Sequence, residues 1–351
     1  MALYFFLALL LTPSAFASPL GIEEAWSAVS NPLIMGRNFE TRFFLLPTRG
    51  QVTTKKRFWS GDYWPLNKGN INFRWNASRN FTLASPTAAQ VQSMTQQELA
   101  QLSPSEKFDI FNGRYDYPLK RAVQKISDPR AKDWEGICHG WAPAAINHNE
   151  PTPKTLENPD RVFIPFGSSD IKGILSFYYA VPYQVPDTHQ VGRRCDDSRI
   201  ANGEDCQNDL NAGAFHVILT NKIALDNEGF IADVARFKEV WNHPILSYQT
   251  TILNDSRGAR NNSAPGTIRT VKVNTRIIYG DEAPNNWNAL MGTSLQKLDS
   301  TEFTYILEID GYGQIIGGEW TSTARPDFLW TKAKTNRFSG EYARLPELLN
   351  D

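Results

Sequence analysis

Apolar and polar positions divide the chain into stretches of different character. Leu3 to Leu11 is an unbroken apolar run that Pro13 ends, and Met1–Ala17 (MALYFFLALLLTPSAFA) carries no charged side chain. That run has the length of a signal-peptide core and is too short to span a bilayer. Ala15-Phe16-Ala17 forms a small-x-small cleavage site before Ser18. Residues 1–17 are therefore expected to be a signal peptide and the product to be secreted or periplasmic, in an oxidising compartment. Residues 18–94 show no clean period. Trp59, Trp64, Phe73, Trp75 and Phe81 alternate only loosely with polar positions, which suits an N-terminal lobe or a propiece.

From residue 95 onward the pattern sharpens. Thr95 and Glu98 make a capping box for a short helix. Ser103-Pro104-Ser105-Glu106 repeats it with Pro at the first helical position, predicting a helix over 104–112. Ser168 or Ser169 caps DIKGILSFYYA, in which Ile171, Leu175 and Tyr178 or Tyr179 share a face, predicting a helix near 170–180 that Pro182 and Pro186 terminate. AFHVILTNKIAL from Ala214 is β-branched and aromatic and is expected to be a strand, with DNEG as a turn and FIADVARF as the next strand. Ile306–Ile309 and Gln314–Gly317 flank Asp310-Gly311-Tyr312-Gly313, a hairpin signal. Residues 95–351 are expected to form one core.

Composition narrows the class. The 351 residues carry 36 Lys+Arg against 37 Asp+Glu, a net charge of -1, which excludes a polybasic nucleic-acid binder and an acidic disordered tail. At 41% hydrophobic and 12% aromatic the chain can bury a sizeable core, and 21 Pro with 23 Gly scattered along it suit a loop-rich α+β fold. Nothing after residue 17 is long and apolar enough to cross a membrane.

The 3 cysteines carry the chemistry. Cys195 and Cys206 bracket the polar loop DDSRIANGED, and a disulfide between them would stabilise by about 3 kcal/mol in the chain-entropy picture. Cys138 is left as a free thiol in WEGICHGWAPAA, before a helix expected to start near Trp141, with Pro143 in its first turn. A helix N-terminus favours the thiolate through its dipole and free N–H groups. Of the five histidines, His139 adjoins Cys138 and points away, His148 and His189 sit in polar loops and are expected to be solvated, and His243 is held extended by Pro244. His216, in the middle of an apolar strand, is the expected base. A hairpin about DNEG places Glu239 opposite His216, whereas a looser turn brings Asp233 there. A carboxylate inside FIADV needs a partner, which favours Asp233 and also admits a plain ion pair with Lys222, so Asp233 and Glu239 both remain candidates. An oxyanion hole would use the Cys138 N–H, with the Trp134 indole as a second donor by proximity alone.

In order, LSPSEKFDIFNGRYDYPL (102–119), DWEGICHGWAPAA (133–145), SSDIKGILSFYY (168–179), GAFHVILTN (213–221), EVWNHPI (239–245) and IIGGEWTSTARPDFLW (315–330) resemble the transglutaminase-elicitor family of secreted oomycete and bacterial transglutaminases. The resemblance implies a papain-like cysteine transferase core with an antiparallel sheet, a Cys-His-acid centre, and acyl transfer from protein glutamine to lysine or polyamine amines. Cys138 falls in the nucleophile motif and His216 in the strand motif. Val240–Pro244 is similar to the segment recognised as an elicitor in plant-associated members, with His243 inside it. The resemblance also raises calcium as a cofactor, for which the acidic loop of Asp196, Asp197, Glu204, Asp205 and Asp209 offers oxygen ligands. A papain-like peptidase or glutamine deamidase would use the same residues. A non-catalytic wall- or glycan-binding protein, stacking sugars on its Trp and Tyr side chains, is the alternative of another class.

Overall fold

The computed structural model describes residues 25–53, 58–77, 84–181, 188–194, 209–235, 239–335 and 337–351. Residues 1–17, expected to be a signal peptide, lie outside these residues, as do Cys195, Cys206, Pro182 and Pro186. Among the described residues of the first part, 25–53 and 58–77, short 3₁₀ turns are joined by one strand, β1 (Arg49–Gln51). Five helices follow: α1 (Ala88–Ser93), α2 (Gln96–Ala100), α3 (Pro104–Phe111), α4 (Pro118–Ile126) and α5 (Cys138–Asn147). The predicted capping boxes form: Thr95 caps α2 with Glu98, and Ser103 caps α3 with Glu106 and Pro104 at the first position. After the hairpin β2 (Lys154–Glu157) and β3 (Phe163–Phe166) comes α6 (Ser168–Ala180). Its cap is Gly167, one residue earlier than expected, and Gly167 N donates to Asp170 Oδ2 at 2.7 Å.

β4 (Thr188–Gly192) and then α7 (Ala212–Leu219) precede β5 (Phe230–Asp233), β6 (Asn242–Arg257), β7 (Arg269–Gly280), β8 (Leu298–Ile309), β9 (Ile315–Trp320) and β10 (Phe328–Lys332). Every ladder in the large sheet is antiparallel, in the order β4-β10-β5-β6-β7-β8-β9, with β1 added on β6. The β8–β9 hairpin turns through Asp310–Gly313 as predicted.

The strand expected from Ala214 is a helix, α7, continued by a π-type turn over Thr220–Leu225. Its residues are buried on every side, so the run is apolar throughout and has no period to betray it. Asn211 Oδ1 caps it by accepting from Gly213 N and Ala214 N. Gly213 lets the helix meet β9 backbone to backbone, since a Cβ there would sit 2.3 Å from the Gly317 oxygen. The hairpin between 216 and 239 therefore does not form. β5 pairs with β6, Asp233 opposite Asn242, and on its other side with β10, Asp233 opposite Phe328.

Residues 25–77 share the core of the rest. Val52, Phe58, Trp59, Trp64 and Ile71 are buried in the same cluster as Trp141, Ile174 and Tyr305. β1 pairs with β6, and single bridges join Ala25 to Gly317 and Arg42 to Gln314.

Candidate active site

Cys138 opens α5, so its helix begins three residues before the expected start and Pro143 lies in its interior. Pro143 has no N–H, so the His139 carbonyl gets no i+4 donor. The turn that delivers Cys138 is held by the N-terminal segment. Ile137 N donates to Tyr63 O at 2.6 Å, Leu66 N to Glu135 O at 2.8 Å, and Trp141 Nε1 to Trp59 O at 3.3 Å. Gly136 is required at this crossing, because a Cβ would lie 2.4 Å from Tyr63 O. Cys138 is a free thiol and 5% exposed.

The sulfur faces the start of β6. Asn242 Nδ2 donates to Cys138 Sγ at 3.5 Å, and Sγ lies 3.8 Å from Val240 O. The amide orientation of Asn242 is fixed from behind, where its Oδ1 accepts from Trp330 Nε1 at 2.8 Å. Directly opposed residues in an antiparallel ladder project to the same face. Asp233 opposes Asn242 and Phe328, and Trp330 opposes Ile231. Asp233, Asn242 and Trp330 therefore share one face of β5, β6 and β10, the face from which Asn242 reaches Cys138.

Burial raises the Cys138 thiol pKa, the Asn242 hydrogen bond works against that, and the charges of Glu282 and Asp233 add to it. Asp233 is 1% exposed. Its Oδ1 accepts from Trp241 N at 3.4 Å and its Oδ2 has no hydrogen-bond partner among the described residues. Burial, reinforced by the neighbouring Asp327, pushes its carboxyl up to about 8.

His216 is elsewhere. It lies on α7, 2% exposed, with Nδ1 2.8 Å from Tyr305 Oη and its ring near Phe43. It makes no hydrogen bond to Cys138, Asp233 or Glu239, and burial alone pushes its pKa down to about 3. The apolar run that made a lone imidazole look purposeful is the wall of a core in which Tyr305, itself bonded to Thr275, satisfies it. Glu239 is half-buried just before β6 and has no hydrogen bond or ion pair to His216. Of the four expected site residues, the structure groups Cys138 and Asp233.

Other expectations shift as well. His148 is buried, its ring bonded to Asp351 at 2.5 Å and Tyr179 at 2.9 Å, rather than solvated. His189 is exposed as expected. Lys222 pairs with Glu228, not Asp233. The Trp134 ring carries the Lys132 ammonium at 5.9 Å. In the acidic loop, Asp209 pairs with Arg325, and the other four acids lie outside the described residues. Asn242 and Trp330 were missed as site residues, although both sit inside motifs that sequence reading singles out, EVWNHPI and ARPDFLW.

Residues 120–340 match the transglutaminase elicitor family. The chain belongs to that family. Cys138, Asp233, Asn242 and Trp330 all fall within the matched range. No curated protein matches the chain significantly. A solved structure with a similar fold is the GP42 transglutaminase from Phytophthora sojae, at a TM-score of 0.67 and 22% identity, covering 93% of this chain and 98% of that one. This member of the transglutaminase elicitor family thus shares a mixed helical and antiparallel-sheet fold with GP42.

Proposed function

We propose that the protein is a secreted protein-glutamine γ-glutamyltransferase whose nucleophile is Cys138 and whose acid-base group is Asp233. The observation that carries this reading is a free thiol at a helix N-terminus, gripped by Asn242, with a buried and half-satisfied carboxyl on the same sheet face. A resting thiol raised by burial needs a base of comparable strength. An ordinary aspartate near 4 is too weak, whereas Asp233 at about 8 is close to the matched condition for proton transfer near neutral pH.

In the first half-reaction Asp233 takes the Sγ proton and the thiolate attacks the carboxamide carbon of a substrate glutamine. The C–N bond of the tetrahedral intermediate then breaks, the nitrogen leaving as ammonia with the proton from Asp233, and a thioester remains. A lysine or polyamine amine attacks the thioester carbon and gives its proton to Asp233. The C–S bond breaks and the thiolate is reprotonated. Gly140 N and Trp141 N already donate to Ile137 O, so the Cys138 and His139 amides at the very start of α5, with the Asn242 amide, are the donors available to the oxyanion. Water in place of the amine gives deamidation by the same steps.

The test is Cys138→Ala assayed for incorporation of a labelled primary amine into a glutamine-bearing protein. Loss to background is expected, and retained incorporation removes the reading. Peptide cleavage without amine incorporation by the wild type would favour the peptidase instead.

A further inference from the structure

Beside the Cys138 centre, the start of β6 and the end of β7 bring His243 together with the adjacent pair Asp281 and Glu282, which follow β7. One ring nitrogen of His243 and one carboxylate oxygen from each of Asp281 and Glu282 lie within 4.8 Å of one another. We propose that His243, Asp281 and Glu282 form a binding site for a first-row divalent transition-metal cation of the manganese or zinc type.

The spacing fits such an ion after small side-chain movement. Ligands bound at about 2.1 Å can stand at most about 4.2 Å apart. His243 Nδ1 is already 4.0 Å from Asp281 Oδ1. The Gly280 carbonyl oxygen, 2.9 Å from Nδ1, adds a fourth donor, at the roughly 3.0 Å separation of adjacent ligands on an octahedral ion with 2.1 Å bonds. Without a cation Nδ1–H donates to that carbonyl. Ligation moves the proton to Nε2 and replaces the hydrogen bond with two metal bonds.

Two further features point to a cation. Glu282 Oε1 is a buried oxygen with no hydrogen-bond partner among the described residues. Neither Asp281 nor Glu282 has a Lys or Arg ion pair among the described residues, while Asp62 adds its charge at Glu282 and Asp299 at His243. Asp281 keeps 38% of its side chain exposed, and burial with a hydrogen bond to Asp281 pushes the Glu282 carboxyl up to about 8, so a cation binding here displaces a proton. The imidazole selects against calcium, which prefers an all-oxygen shell, and toward manganese or zinc. His243 is 6% exposed and packs against Trp141 of α5 and Tyr279 of β7, so the ligand is preorganised rather than free on the surface. The site does not depend on Cys138 being a nucleophile.

The test is titration calorimetry of the full mature chain with Mn²⁺, with Ca²⁺ as comparator, alongside pulsed EPR of the Mn²⁺ complex. Binding of one Mn²⁺ is expected, with nitrogen coupling from one imidazole. His243→Gln should remove that coupling and weaken binding at least about tenfold. Asp281→Asn combined with Glu282→Gln should abolish binding, whereas Cys138→Ala should bind as the wild type does even if it is inactive. The proposal is overturned by absence of Mn²⁺ binding at millimolar concentration, by bound Mn²⁺ without nitrogen coupling, by unchanged affinity in His243→Gln, by loss of binding in Cys138→Ala, or by Ca²⁺ binding as tightly as Mn²⁺. The nitrogen coupling is read on the wild type, so it decides even where a variant folds poorly.

Discussion

Asp233 and His216 are both buried ionisable groups shifted toward their neutral forms, and they have opposite consequences for pH. Asp233 rises from an ordinary value near 4 to about 8 on folding. The native state binds its proton more tightly than the unfolded chain does. The stability this contributes is complete below about 4 and is lost as pH climbs through about 8. Asp233→Asn has no charge to bury, so its melting temperature relative to wild type should be more favourable at pH 9 than at pH 5. If Asp233 is also the base, wild-type kcat/KM for amine incorporation should rise across roughly pH 7 to 9 as the carboxylate forms. Asp233→Asn should lower it at least about a hundredfold and flatten that profile. An unaltered profile would remove Asp233 from the chemistry.

His216 falls to about 3, well below its ordinary value near 6.5. Here the unfolded chain binds the proton first, so stability declines as pH drops from about 6.5 toward 3. His216→Gln should show a shallower acid loss in a pH series of thermal melts. It should also keep amine incorporation per folded molecule. A mutant that folds normally but is inactive would restore His216 to the mechanism.

At the scale of elements, the helix that carries Cys138 is positioned by close packing of α5 on α6. Gly140 sits where the two backbones nearly touch. A Cβ there would lie 2.1 Å from Ser176 O and 2.8 Å from the Ala180 Cβ, both parts of a rigid helix. Gly140→Ala should cost about 3 kcal/mol, read as a lower denaturant midpoint at unchanged slope. The helices with explicit start signals, α2 and α3, were legible because a cap is a local interaction between residues three apart. α7 was not, because its β-branched and aromatic residues carry a strand propensity that total burial overrides. The helix takes His216 off the sheet, and the expected base–acid pairing goes with it.

For the molecule as a whole, the decisive contacts run from the N-terminal segment to the site. Trp59, Tyr63 and Leu66 bond to Trp141, Ile137 and Glu135 around Cys138, and β1 extends the main sheet. A propiece should leave an intact core when removed, whereas this segment supplies part of the core itself. A chain starting at residue 95 should therefore lack a cooperative melt and amine incorporation. A truncated protein that folds and is active would identify the segment as a propiece after all.

A cysteine near a helix start, helices with readable caps, a β-rich second half and motifs in the order of one family can all be read from residue order. These are local or near-local properties, written in runs of adjacent residues. Which groups lie on the sheet face toward that cysteine depends on how distant segments pack. Asn242 and Asp233 are delivered by the register of two strands, and register depends on which apolar face is buried. His216 was withdrawn by a helix whose burial comes from distant strands. The group that met the thiol was thus set by long-range packing, to which the spacing of residues along the chain is blind.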